Sequence, residues 1–154
     1  VVWSAEEVAV QRADFRHFFE QAVRWGDLDA LGHVNNVQFI RFLESGRVAY
    51  VEDVFELPVS ADGEGVILAD LQCSFLRQLE YPDTVEVATR VSALGGSSFE
   101  LLAAIFRRGE DAPVATSRGV LVWFDFRGQS AQPLPEVFRE RIRRFEVLAP
   151  RERV

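Results

Sequence analysis

Lysine and methionine are absent from this chain, cysteine occurs once, as Cys73, and histidine twice, as His17 and His33. One cysteine rules out an intramolecular disulfide framework, and such sparse use is compatible with a reducing compartment. Two histidines without carboxylate–histidine spacing speak against a zinc or iron site, so no metal is expected. No apolar run approaches the roughly 20 residues of a membrane helix. The first residues show no basic stretch followed by an apolar one, so no secretory signal and a cytoplasmic location are expected. The basic residues number 17 against 24 acidic ones, a net charge of −7. That balance argues against a duplex nucleic-acid partner, which needs a basic footprint. All 17 basic residues are arginine. Arginine suits bidentate phosphate contacts, but an arginine-only inventory singles out none of them.

What is present is a globular composition, 48% hydrophobic and 27% charged, over 154 residues. This fits one domain, residues 1–154, around one core. Residues up to about 14 read as a short helix or ordered tail. Residues 15–24 are aromatic and apolar and read as a strand. The turn-rich 26–32 follows, and a helix begins near Asn35, with Gln38 placed to complete a capping box. Phe39, Ile40, Leu43, Tyr50, Val51 and Val54 share one helical face, widened by Phe42, Gly46 and Ala49. Burial on more than one side is therefore expected, with Gly46 permitting a close approach. Strands are expected over 66–76, 84–94, 99–108 and 114–126, with turns at Gly95-Gly96 and around Gly109. A short helix closes the pattern at 136–145. Consecutive hairpin-linked strands after one long helix indicate an α+β fold with an antiparallel sheet. One helix on one sheet leaves edges and a far face uncovered, so an oligomer is expected.

Chemistry concentrates in residues 24–36. Asp27, Asp29, His33, Asn35 and Asn36 stand between a strand and the start of a buried helix. A helix N-terminus offers unpaired N–H groups and about half a positive charge, the ingredients of an oxyanion site. A carboxylate held across from it could attack a polarised carbonyl or activate water. The same residues are also ordinary turn and cap formers, and spacing alone does not separate the two readings.

The run Asp27-x-Asp29, then Gly32-His33-Val34-Asn35-Asn36, then Phe39 and Phe42-Leu43-Glu44-Ser45-Gly46-Arg47, resembles the signature of the 4-hydroxybenzoyl-CoA thioesterase-like family of hotdog-fold acyl-CoA thioesterases. Gly95 to Phe99 and Val120 to Gly128 are also similar to that family, so the resemblance spans about 15–135. It implies a hotdog fold: a curved antiparallel sheet wrapped around one long central helix, plus the short C-terminal helix. It implies edge-to-edge homodimers, or homotetramers built from them, with active sites at the dimer interface.

By resemblance Asp29 is the catalytic carboxylate and Asn36 supplies the oxyanion N–H. Asn35 caps the helix and orients Asp29, and His33 completes the catalytic set. Substrate contacts fall to Asp27, Gly32, Phe39, Arg77 and Ser98, with Asp27 shaping the loop rather than acting as a second catalyst. Glu44 and Arg47, three apart on the helix, are read as a structural pair. The implied reaction is hydrolysis of an acyl-CoA to free acid and CoA, with no cofactor beyond the CoA of the substrate. In one respect the chain departs from the family: where its members often carry basic residues before the Ser-Phe segment, this sequence has Gly95-Gly96. Arg77, Arg90 and Arg118 are candidate replacements for phosphate contacts. The departure keeps an acyl-ACP substrate open. A non-catalytic protein that only binds acyl thioesters is the alternative of a different class.

Overall fold

The computed structural model describes residues 10–58 and 60–152. The tail expected before Asp14 falls mostly outside them; of it, Arg12–Asp14 form one 3-10 turn. Five long strands make the sheet: β1 (His17–Ala22), β2 (Glu64–Phe75), β3 (Thr84–Leu94), β4 (Ser98–Arg107) and β5 (Pro113–Asp125). Two-residue strands β6 (Ser130–Ala131) and β7 (Arg151–Glu152) pair with β5 and β3. The order is β1-β3-β4-β5-β2, with all long pairs antiparallel.

This order corrects one expectation. Consecutive hairpins would place β2 beside β3, but β2 pairs β5 and forms an edge, while β1 takes the place beside β3. Among the described residues the β3–β4, β4–β5 and short β5–β6 links are the hairpins, the first closed by Gly95 N–H donating to Ser98 O at 2.7 Å. Register shifts at Leu68/Asp70, Val91/Ala93 and Ile105/Phe106 interrupt three of the ladders. Bulges of this kind bend and coil strands, which lets the sheet curve around a helix.

Helix α1 (Asn36–Val54) lies in the concave face. It buries Phe39, Phe42, Leu43, Gly46, Tyr50, Val51 and Val54, against inward residues such as Val85, Val87, Ile105, Leu101 and Leu121. Arg41, Glu44, Glu52 and Asp53 stay exposed, so within one protomer the helix is covered on the sheet side rather than all round. Gly46 behaves as expected. A Cβ there would stand 2.5 Å from Val87 Cγ1, so only glycine lets α1 sit this close to β3. Helix α2 (Glu136–Phe145) closes the far end, stacking Phe138 on Phe55 at 5.0 Å and packing it against Trp123 at 5.1 Å. On the outer face, Phe15 packs with Ala88, Ala104 and Phe106, and the Arg12 guanidinium lies 4.6 Å over the Phe106 ring. The result is the hotdog arrangement: one curved antiparallel sheet around one long helix. No helix of the described residues is long and apolar enough to cross a membrane.

Candidate active site

The link from β1 to α1 is a narrow ribbon. Leu28 bridges Val34, and Asp29 N–H donates to His33 O at 3.0 Å. The ribbon turns at 29–32, where Gly32 N–H returns to Asp29 O at 3.1 Å and Gly32 adopts φ +80°. That left-handed conformation strains any residue with a Cβ, which accounts for glycine at this place in the motif. Asp29 is half-buried, and its Oδ1 accepts from Leu31 N–H at 2.9 Å. Among the described residues its Oδ2 accepts no hydrogen bond.

Asp27 has a different part. It is 3% exposed, its Oδ2 takes Arg24 N–H at 2.7 Å, and the Arg24 guanidinium approaches Oδ1 at 3.3 Å. Its carbonyl accepts Asn35 N–H at 2.9 Å. Asp27 thus ties the strand end to the helix start, as a loop-shaping residue would.

Asn35 is the N-cap of α1, with its Oδ1 accepting from Val37 N–H at 3.0 Å. The reciprocal half of the expected capping box does not form. Asn35 N–H is committed to Asp27, and Gln38 Oε1 is buried without a partner. Among the described residues Asn35 makes no hydrogen bond to Asp29, so its side chain caps the helix and orients nothing else. Asn36 is the first helical residue, and its N–H has no partner among the described residues, as a first-turn donor should not.

These pieces meet in an open cleft of about 260 Å³, where Asp29, Leu31, His33 and Asn36 face Phe75 and Arg77. Phe39 forms its floor, with its ring edge-on to Phe75 at 5.5 Å. The two walls are fastened by Val34 N–H donating to Leu79 O at 2.8 Å. Five of the nine sequence-derived site residues therefore line one cavity: Asp29, His33, Asn36, Phe39 and Arg77. Asp27, Gly32 and Asn35 shape it from behind.

Ser98 is not brought to it. On β4, Ile105 aligns through Ala115 with Phe75, so Ser98, at the start of the strand, stands about 23 Å along it from the cleft. Arg118 lies outside the cleft, held to the buried Glu100 at 2.5 Å, and Arg90 sits 6.0 Å over the Phe15 ring. Glu44 and Arg47 pair at 3.9 Å away from the cleft. Burial lowers the Arg47 pKa, with Glu44 opposing.

Residues 75–78 form the wall that sequence reading largely missed, Arg77 apart, and Glu80 lies just beyond it. Glu80 reaches His33, with Oε1 3.7 Å from Nε2. No local pattern announces it, because the segment meets the ribbon through the bond from Val34 N–H to Leu79 O, between residues far apart in sequence.

A sequence model of the thioesterase-like superfamily matches residues 23–142. The chain is 28% identical over 111 residues to a chloroplastic acyl-acyl carrier protein thioesterase of Arabidopsis thaliana, covering 71% of this chain and 58% of that protein. The chain thus spans less than two thirds of the plant relative. It is 27% identical over 122 residues to the long-chain acyl-CoA thioesterase FadM of Escherichia coli, covering 78% and 92% of the two chains. Among solved structures, a thioesterase of Thermus thermophilus complexed with coenzyme A and zinc superposes with a TM-score of 0.73 at 36% identity, covering 86% and 96%. The matched span, the curved sheet around one helix and the ribbon-and-helix cleft agree: this chain belongs to the thioesterase-like superfamily, a hotdog-fold family of thioester hydrolases.

Proposed function

We propose that the protein hydrolyses an acyl-CoA to the free acid and CoA, with Asp29 as nucleophile or general base and the start of α1 as oxyanion hole. The observation that carries this reading is the single cleft in which the Asp29 carboxylate and Asn36, whose N–H is unpaired, face the same space. In it a thioester carbonyl oxygen is polarised by the Asn36 N–H and the helix dipole. Asp29 Oδ2, not held by the loop, adds to the carbonyl carbon or takes a proton from the water that does. Phe39 and Phe75 give the acyl group an apolar surface, and Arg77 at the cleft offers a cation to the carrier's phosphate. The coenzyme A bound to the Thermus thermophilus relative supports CoA as the carrier. The functional unit in this reading is a homodimer joined at sheet edges, of which β2 is the exposed candidate.

Hydrolysis of acyl-ACP is the second reading. It is favoured by the plant relative and by the arginine content of the cleft, which among the described lining residues is Arg77 alone. A free-thiol assay over short, long and aryl acyl-CoAs, with acyl-ACP alongside, tests both readings. Asp29→Ala should lower turnover by about 10³-fold. Full activity of that variant, or an inert wild type across the panel, overturns the assignment.

A further inference from the structure

We propose that Trp25, propped by Tyr81, is the surface on which the adenine of CoA stacks, so that the carrier is read at its nucleotide end. The proposal rests on the thioesterase reading above and separates its two carriers, because the phosphopantetheine of an acyl-ACP carries no purine.

The two rings are brought together by backbone. Val23 N–H donates to Asp83 O at 2.9 Å and Val34 N–H to Leu79 O at 2.8 Å, so residues 23–34 and 79–83 are fastened at both ends. Between these bonds Trp25 and Tyr81 meet edge to face, with ring centroids 5.5 Å apart and planes at 89°. Each backbone is anchored. Trp25 opens the short turn Trp25–Asp27, held by Arg24 N–H donating to Oδ2 of the buried Asp27 at 2.7 Å. Tyr81 stands between the fully buried Leu79 and Asp83, whose carboxylate accepts from Arg107 Nε at 3.1 Å, while the same guanidinium donates to Gln78 O.

The side chains on these anchored backbones are left in solvent. Trp25 is 75% exposed and Tyr81 45%. Single exposed apolar residues are common and need no explanation. A pair of aromatic rings in mutual contact beside a cleft is a different feature. With the planes nearly perpendicular, Tyr81 covers at most one side of the indole, and the other side stays open. A flat π-face on a fixed support is what a base stacks on.

Position and charge select the occupant. Along the wall, Phe75 and Arg77 line the cleft, and Tyr81 follows beyond the buried Leu79. Apolar ring, guanidinium and aromatic pair thus come in the same order as acyl group, diphosphate and adenine in an acyl-CoA. Arg24, beside Trp25, is exposed and gives one guanidinium nitrogen to Asp27 among the described residues, which leaves donors of its fork for a phosphate.

The test compares octanoyl-CoA with octanoyl-pantetheine, which has the same thioester and lacks the nucleotide. Trp25→Ala should raise KM for octanoyl-CoA about tenfold and leave kcat, and both constants for octanoyl-pantetheine, as in wild type. Trp25→Phe keeps a ring and should recover most of the loss. Calorimetric titration with free CoA and with pantetheine should show the same selective loss, with far-UV circular dichroism unchanged. An equal rise in KM on both esters overturns the proposal, as does a wild type that binds CoA no more tightly than pantetheine. A shift of Trp25→Ala to monomer in sedimentation, with the CoA-to-pantetheine ratio unchanged, also overturns it and assigns the indole to a contact between subunits. A wild type that hydrolyses neither ester but binds CoA through Trp25 overturns the hydrolytic reading and leaves the adenine site standing.

Discussion

At the scale of single residues, the cleft is not the only place where chemistry is concentrated. Tyr50 donates to Glu146 Oε1 at 2.5 Å, Val91 N–H donates to the same oxygen at 3.1 Å, and Glu146 Oε2 is buried with no partner. Burial pushes the Glu146 carboxyl above its ordinary range, against the pull of these bonds and of Arg90 and Arg16. A carboxyl raised in the fold holds its proton more tightly than in the unfolded chain. Its stabilising contribution is therefore present below the unfolded value and lost as pH rises through the folded one. Glu146→Gln should accordingly gain stability relative to wild type between pH 5 and pH 8, measured as the change in urea midpoint. A relative loss over that interval contradicts the sign. Tyr50→Phe, which strips a buried carboxylate of one of its two donors, should cost about 1–3 kcal/mol in the same measurement. Cys73 is half-buried, and burial pushes its thiol up to about 11. In native protein at pH 8 it should react with a disulfide reagent at least about tenfold more slowly than in urea-unfolded protein, since the thiolate is the reactive form. This also means that Cys73 should contribute little background to a free-thiol assay.

At the scale of elements, α1 shows how far local pattern reaches. The cap at Asn35, the start at Asn36 and the apolar face that follows are legible because a helix repeats every 3.6 residues and signals its own end. The failed half of the capping box was not legible, because Asn35 N–H is claimed by Asp27, a tie made by the loop. Gly46 tests the close approach of α1 to β3. Gly46→Ala should be destabilising by about 1–3 kcal/mol, although alanine favours a helix interior by about 1 kcal/mol. The added Cβ meets the branched Val87 side chain, which has little rotamer freedom. Chemical denaturation of Gly46→Ala and of Gly46→Ala/Val87→Ala checks this, since trimming Val87 should recover part of the deficit introduced by the methyl. Additive losses would mean that the two side chains do not meet.

At the scale of the whole molecule, β2 is paired on one side by β5 and forms the far edge of the sheet. It is long and exposes Leu68 and Phe75, with Leu76 just beyond. Open edges of this kind pair with other chains unless charged or covered. In the proposed homodimer this edge meets its copy, close to the cleft wall that Phe75 supplies. Sedimentation equilibrium should therefore return a dimer or a multiple of it. Leu68→Lys should shift the population toward monomer and lower thioesterase activity with it, while far-UV circular dichroism stays that of wild type. A fully active monomer would separate catalysis from assembly.

Residue types and their order determined the elements themselves: the strands, the cap and length of α1, and a motif between them dense in carboxylate, imidazole and amide. These are local properties, set by periodicity, turn chemistry and the unpaired donors of a helix start. Only the tertiary structure decided who stands beside whom. It moved β2 from β3 to the edge beyond β5, left Ser98 far along β4, and brought Glu80 to His33. The physical reason is that each of these follows from pairing between strands distant in sequence. Such pairing is decided by which faces can be buried together around α1, and no window of neighbouring residues contains that information.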